Sequence, residues 1–255
     1  MKERLTNQIF VSEDSIQDEY KFDICRVIEE LNKLPFDFYV SGGIICKFFL
    51  KEHSRYVKDI DIVTNCDLKE VESIFRQHLN VTEFVSSPIS DSFFVESFIC
   101  LIEIEGKTIQ IDGMKVDFFN EIEPETYKVN DILFKGVPIE YLVATKILAI
   151  TSELERPFKH LVDTYSVSLV NPSLFDKKEI KKYMIMFNDY ENKNRKILKK
   201  QERALKFYIE ENKSFNGSKI LATLQAGYNI SEETMIEEVN KWLLTFKKII
   251  RVAHL

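Results

Sequence analysis

Glycine is scarce in this chain, seven among 255 residues, and proline is scarcer at six. That excludes a collagen-like or linker-rich organisation and makes each glycine a position to account for. The four cysteines, Cys25, Cys46, Cys66 and Cys100, form no C-x-x-C pair. They read as reduced, structural thiols, neither a disulfide frame nor a zinc site. His53, His78, His160 and His254 show no metal-ligand spacing either. Positive charge is not in excess, with 35 Lys and Arg against 41 Asp and Glu and a net charge of −6, so any contact with a polyanion has to be local. No run approaches the roughly 18 apolar residues of a membrane span, and the first residues carry no apolar signal core. A cytoplasmic protein with no membrane partner is expected.

What is present is a globular balance, 45% hydrophobic and 30% charged. Apolar residues at helical spacing from Ser15 to Leu34 predict a helix ended by Pro35. A strand over Asp37 to Ser41, a short helix over Ile44 to Leu50 and a β-branched strand over Lys58 to Thr64 follow. Asp67 and Glu70 make a capping box for a helix running to about Leu79. Phe93 to Glu105, Lys107 to Ile111 and Met114 to Phe119 read as an antiparallel meander punctuated at Glu105-Gly106 and Asp112-Gly113. After a short strand, Ile132 to Phe134, the pattern turns helical over 139–154, 157–169, 176–188, 191–212, 217–226 and 232–252. The expected architecture is an α/β (α+β) domain with a mixed sheet over residues 1–150 and an all-helical bundle over 151–255, whose core Trp242, Leu243 and Phe246 help to close.

The chemistry gathers where two of the few glycines stand together. Tyr39-Val-Ser-Gly-Gly43 places the pair between a strand and a helix, where backbone amides can approach an anion and the helix N-terminus adds a favourable field. Asp59 and Asp61 alternate along the next strand, so both point to one face, roughly 7 Å apart. Their repulsion, on the order of 2 kcal/mol at an effective dielectric near 20, is relieved by separation, protonation or a cation. Mg²⁺ or Mn²⁺ suits, since Mg²⁺ takes one or two carboxylates plus the phosphates of a nucleotide. By itself a D-x-D is more often the solvated face of a strand. A third acid is available at Asp117, read here in a strand with Val116 and Phe118 facing the other side. Asp112 competes for the role, but Asp112-Gly113 reads more naturally as a hairpin turn.

These residues resemble the nucleotidyltransferase superfamily of polymerase β-like folds, whose signature is Gly-Gly or Gly-Ser, a helix, D-x-D and a later strand aspartate. Ser41-Gly-Gly43 with Arg55-Tyr-Val-Lys-Asp-Ile-Asp61 is more closely similar to the AbiEii/AbiGii toxin group, with Val57 where that group has serine. Lys146 to Asp163 resembles its helical lysine motif, with His160 in place of an aspartate. The resemblance implies a transferase that moves a nucleoside monophosphate from an NTP to an acceptor hydroxyl. On it, Asp59, Asp61 and Asp117 would hold Mg²⁺ or Mn²⁺, with Lys146 and Asp163 in the catalytic set. Ser41, Gly42, Gly43, Arg55, Lys58 and Lys146 would bind the nucleotide's phosphates. The acceptor would be RNA, tRNA or a protein, and a cognate antitoxin a partner. A small-molecule transferase of the antibiotic-modifying kind and a non-catalytic nucleotide-binding or interaction module are the alternatives.

Two residues carry competing readings of their own. Lys146 sits on the apolar stripe of its helix, between Leu142, Val143, Ala149 and Ile150, so it must find an anion or reach out of the core. Asp163 has Lys159 four residues before it and reads equally as half of a surface ion pair. The lysines and aromatics between Lys177 and Lys213 could track a nucleic-acid backbone, but acidic residues among them favour an amphipathic helix with a solvated face.

Overall fold

The computed structural model describes residues 18–49, 59–88, 96–129, 131–152 and 176–190. The chain divides into two compact units, Met1–Pro138 and Ile139–Leu255.

The first unit is α+β, built on one mixed seven-stranded sheet. Its strands are β1 (Phe38–Ser41), β2 (Asp59–Thr64), β3 (Val81–Pro88), β4 (Glu96–Ile104), β5 (Lys107–Lys115), β6 (Glu125–Val129) and β7 (Ile132–Gly136). They lie in the order β3-β4-β5-β2-β1-β7-β6. β2 runs parallel to β5 and β1 parallel to β7, while the other neighbours are antiparallel. One register row crosses the whole sheet: Ser86, Phe98, Gly113, Ile62, Val40, Gly136 and Glu125. Residues paired in register share a face, and alternate residues along a strand return to it.

That face is where the helices pack. α3 (Leu68–His78) turns Leu68, Val71, Ile74 and Phe75 inward, and Phe75 meets Phe84 and Phe98 edge-on. α2 (Gly42–Phe49) sends Phe48 between Tyr127 and Phe134. α1 (Asp18–Leu31) buries Ile24, Val27, Ile28 and Leu31, and just past its end Asn32 donates to the Leu133 carbonyl at 2.9 Å. The opposite face mixes polar and apolar residues and is partly exposed. The neighbouring row on it runs Val85, Ile99, Asp112, Asp61 and Ser41, with Val85 and Ile99 about half exposed.

Several expectations are corrected. The diglycine opens α2 itself, not a loop before it. The meander is real, but its first strand is β3, which the periodicity of Val-Thr-Glu-Phe-Val-Ser-Ser-Pro did not announce; β6 was missed likewise. Of the two expected turns, Glu105-Gly106 makes a hairpin, with φ of 51° and 75°, the left-handed pair a two-residue type I′ turn demands. Asp112-Gly113 lies in the middle of one continuous strand. A Cβ on Gly113 would come within 1.9 Å of the Phe98 ring, so this glycine makes room for an aromatic on the next strand. The strand expected over Met114 to Phe119 ends at Lys115. Phe118 and Phe119 are both buried, and an alternating strand buries only one of two neighbours. The chain therefore turns over residues 116–121, Phe119 stacks on Tyr39 at 4.2 Å, and Asp117 is left exposed in the turn.

In the second unit, α4 (Ile139–Ser152) and α5 (Lys177–Tyr190) pack together, Tyr141 meeting the rings of Tyr183 and Phe187. The other helices expected after residue 152 lie outside the described residues. Among the described residues no helix is long and apolar enough to cross a membrane.

Candidate active site

Asp59 and Asp61 stand on β2 as the alternation requires, both half-buried on the open face, with Ile60 and Ile62 buried behind them. The parallel pairing of β2 with β5 sets Asp112 directly beside Asp61 and Gln110 beside Asp59. Adjacent strands are about 4.8 Å apart, so Asp59, Asp61, Asp112 and Gln110 occupy the corners of a quadrilateral with three acids and one amide. Gln110 Nε2 donates to Asp112 Oδ1 at 2.8 Å.

The diglycine meets this group at Asp61. Gly42 has φ +65°, and a Cβ built on it would lie 1.5 Å from Asp61 Oδ2. No residue with a side chain fits there without moving the carboxylate. The Gly43 amide N–H reaches the same oxygen in a long contact of 3.4 Å. Ser41, buried and in register with Asp61, completes the bend from β1 into α2. The paired glycines thus hold a strand carboxylate against the first turn of a helix, where the field is favourable to negative charge.

Asp117 is not brought to this group. It follows the end of β5, and its charge acts on Lys115. Lys115 alternates with Gly113, Ile111 and Ile109, on the helix-covered face, where its ammonium binds Glu96 at 2.9 Å and approaches Asp67 at 3.8 Å. The hydrogen bond to Glu96 is the chief cause that raises the lysine's pKa. Lys146 lies on α4, buried at 8% exposure, so it does not reach solvent from its apolar stripe. Arg55, Lys58 and Asp163 lie outside the described residues.

The donor set decides which metal could suit. It is all oxygen, hard, without His or Cys, which fits Mg²⁺ or Mn²⁺ and not a structural zinc. Among the described residues no group of three His, Cys, Asp or Glu side chains is gathered closely enough to hold a metal ion by itself. Mg²⁺ seldom uses such a cage, keeping one or two carboxylates and filling its shell with water and substrate phosphate. Asp59 and Asp61, with Asp112 in the next strand, fit that mode.

Sequence reasoning passed over Asp112 and Gln110. The signal that finds Asp112 is its setting, Ile109-Gln-Ile-Asp-Gly, an alternating run like Asp59-Ile-Asp-Ile-Val with the apolar residues on the other face.

No family model matches the chain, and no curated protein matches it. Solved structures show a partial likeness to it. An antigenic nucleotidyltransferase-like protein from Paracoccidioides brasiliensis is 13% identical at a TM-score of 0.47, over 85% of this chain and 96% of that one. The protein JHP933 from Helicobacter pylori is 12% identical at 0.43, over 96% and 97%. The antibiotic-resistance factor ANT(2'')-Ia is 14% identical at 0.41, over 67% and 90%. At these values none lends this chain a residue role.

Proposed function

We propose that the protein is a metal-dependent nucleotidyltransferase, moving a nucleoside monophosphate from an NTP to an acceptor hydroxyl. The observation that carries the reading is the register of Asp61 with Asp112 beside a diglycine bend pressed against Asp61. A strand carboxylate pair alone has a bland explanation. A pair joined by a third acid from a strand distant in sequence, with a helix opening against one member, supports phosphoryl chemistry.

Asp59 and Asp61 are the carboxylates that would hold Mg²⁺ or Mn²⁺, and Asp112 takes the third place in preference to Asp117. When bound, the metal neutralises charge on the transferred phosphate and lowers the pKa of the attacking hydroxyl. The chain's own part is positional. The bend at Ser41-Gly-Gly43 fixes the Asp61 carboxylate, and the resemblance of this segment implies that it lies beside the nucleotide's phosphates. In this reading Asp112 also accepts the proton of the acceptor hydroxyl. Following the resemblance of Ser41-Gly-Gly43 and Arg55 to Asp61, RNA, tRNA included, is the acceptor to try first and an antitoxin the partner to look for.

The second reading is a nucleotide-binding module without turnover, favoured by the absence, among the described residues, of a gathered three-acid group. One experiment separates the two. The protein is incubated with each labelled NTP, Mg²⁺ and total RNA, a protein extract or small hydroxyl acceptors. Label transfer that falls at least about 100-fold in Asp59→Ala, Asp61→Ala and Asp112→Ala, and persists in Asp117→Ala, is the expected result. NTP binding without transfer to any acceptor supports the module. Transfer lost in Asp117→Ala and kept in Asp112→Ala would reverse the assignment of the third acid.

A further inference from the structure

The four-cornered group on β2 and β5 contains one neutral member, Gln110. Gln110 stands across the ladder from Asp59 and two residues before Asp112 on the same face. A strand brings such i, i+2 neighbours to about 7 Å, within reach of a long side chain. Its amide meets Asp112 Oδ1 at 2.8 Å. A carboxylate only accepts, so the amide's NH₂ end is the end that satisfies this contact.

We propose that Gln110 is a positioning residue that orients the Asp112 carboxylate for the metal, an inference that rests on the function proposed above. Holding Oδ1 from along the strand fixes the plane of the carboxyl group, so the carboxylate meets a metal in one set orientation. An amide does this without adding a further negative charge beside Asp59, Asp61 and Asp112. Glutamate at 110 would supply no donor and would add repulsion. Partners that orient ligating carboxylates are typically worth about 10-fold to 100-fold in metal affinity.

The test uses the full chain, with Gln110→Met, which keeps the volume and removes the donor, and Gln110→Ala as the second variant. Mn²⁺ binding without nucleotide is read by water proton relaxation, and transfer is followed against Mg²⁺ concentration. In both variants the Mn²⁺ dissociation constant is expected to rise about 10-fold. The Mg²⁺ midpoint should rise with it, while kcat at saturating Mg²⁺ returns to within about twofold and the melting temperature holds. A merely structural role would lower the melting temperature and leave the metal midpoints in place. Wild-type midpoints in Gln110→Met would overturn the inference alone, the transferase reading standing. A wild-type chain that binds no Mn²⁺ and transfers no label would remove both.

Discussion

At the scale of single residues, Gly42 shows how a backbone position and a functional side chain become one problem. Its positive φ and the 1.5 Å approach of Asp61 Oδ2 to a would-be Cβ act together. Gly42→Ala should destabilise the fold by on the order of 3 kcal/mol, part from left-handed strain and part from the clash. Because the clash belongs to the Asp61 side chain, Cβ included, the loss should shrink to about 1 to 2 kcal/mol in an Asp61→Gly background, where the φ strain is left. Urea denaturation of the four proteins in that cycle measures the coupling. Equal losses in both backgrounds would mean that the glycine answers to the turn alone. Tyr141 presents the opposite case. Its hydroxyl is buried and, among the described residues, meets no hydrogen-bond partner, and burial pushes its pKa far up. Tyr141→Phe deletes the orphaned group and should raise stability by about 1 kcal/mol, read as a higher melting temperature.

At the scale of elements, the end of β5 is tied to two others through one cation. Lys115 binds Glu96 on β4 and lies near Asp67, which caps α3 by accepting from the Lys69 amide at 3.0 Å. The hydrogen bond to Glu96, with the surrounding acids, raises the lysine's pKa above its ordinary 10.5. The folded state therefore holds this proton more tightly than the unfolded chain does. The contribution is complete below pH 10.5 and is lost as pH rises through the folded value. Lys115→Met should cost a constant amount from pH 7 to about pH 10, and the difference from wild type should close above it. Denaturant midpoints across that range decide the matter; a difference that persists undiminished at high pH would assign the lysine's role to its packed stem. The charge of Asp117, exposed in the turn after β5, acts on this lysine as well.

At the scale of the whole first unit, β2 is the strand on which everything depends. It joins the β3-β4-β5 meander to the β1-β7-β6 group, and it carries the carboxylates. Ile62 is fully buried at its centre, so Ile62→Ala should cost about 2 to 5 kcal/mol and loosen both halves of the sheet together. Ile99 is 48% exposed on the open face, and Ile99→Thr should stay within about 0.5 kcal/mol of wild type. Circular dichroism with urea compares them. A large loss at Ile99 would show that the open face is packed on in solution.

The sequence by itself determined the strand, helix and strand that carry the diglycine and the D-x-D, because period-two and period-3.6 patterns are local and each face's polarity is written in neighbouring residues. It located Asp59, Asp61 and the Gly42 bend for the same reason. Asp112 against Asp117 lay beyond it, since Asp-Gly is a turn signal until Phe98, fifteen residues earlier, claims the space a side chain on Gly113 would fill. Two adjacent phenylalanines likewise look like strand until both must be buried at once. Tertiary structure alone decided which acid stands beside Asp61, because the pairing of β2 with β5 joins segments some fifty residues apart and a shift of one residue would have put every side chain on the other face.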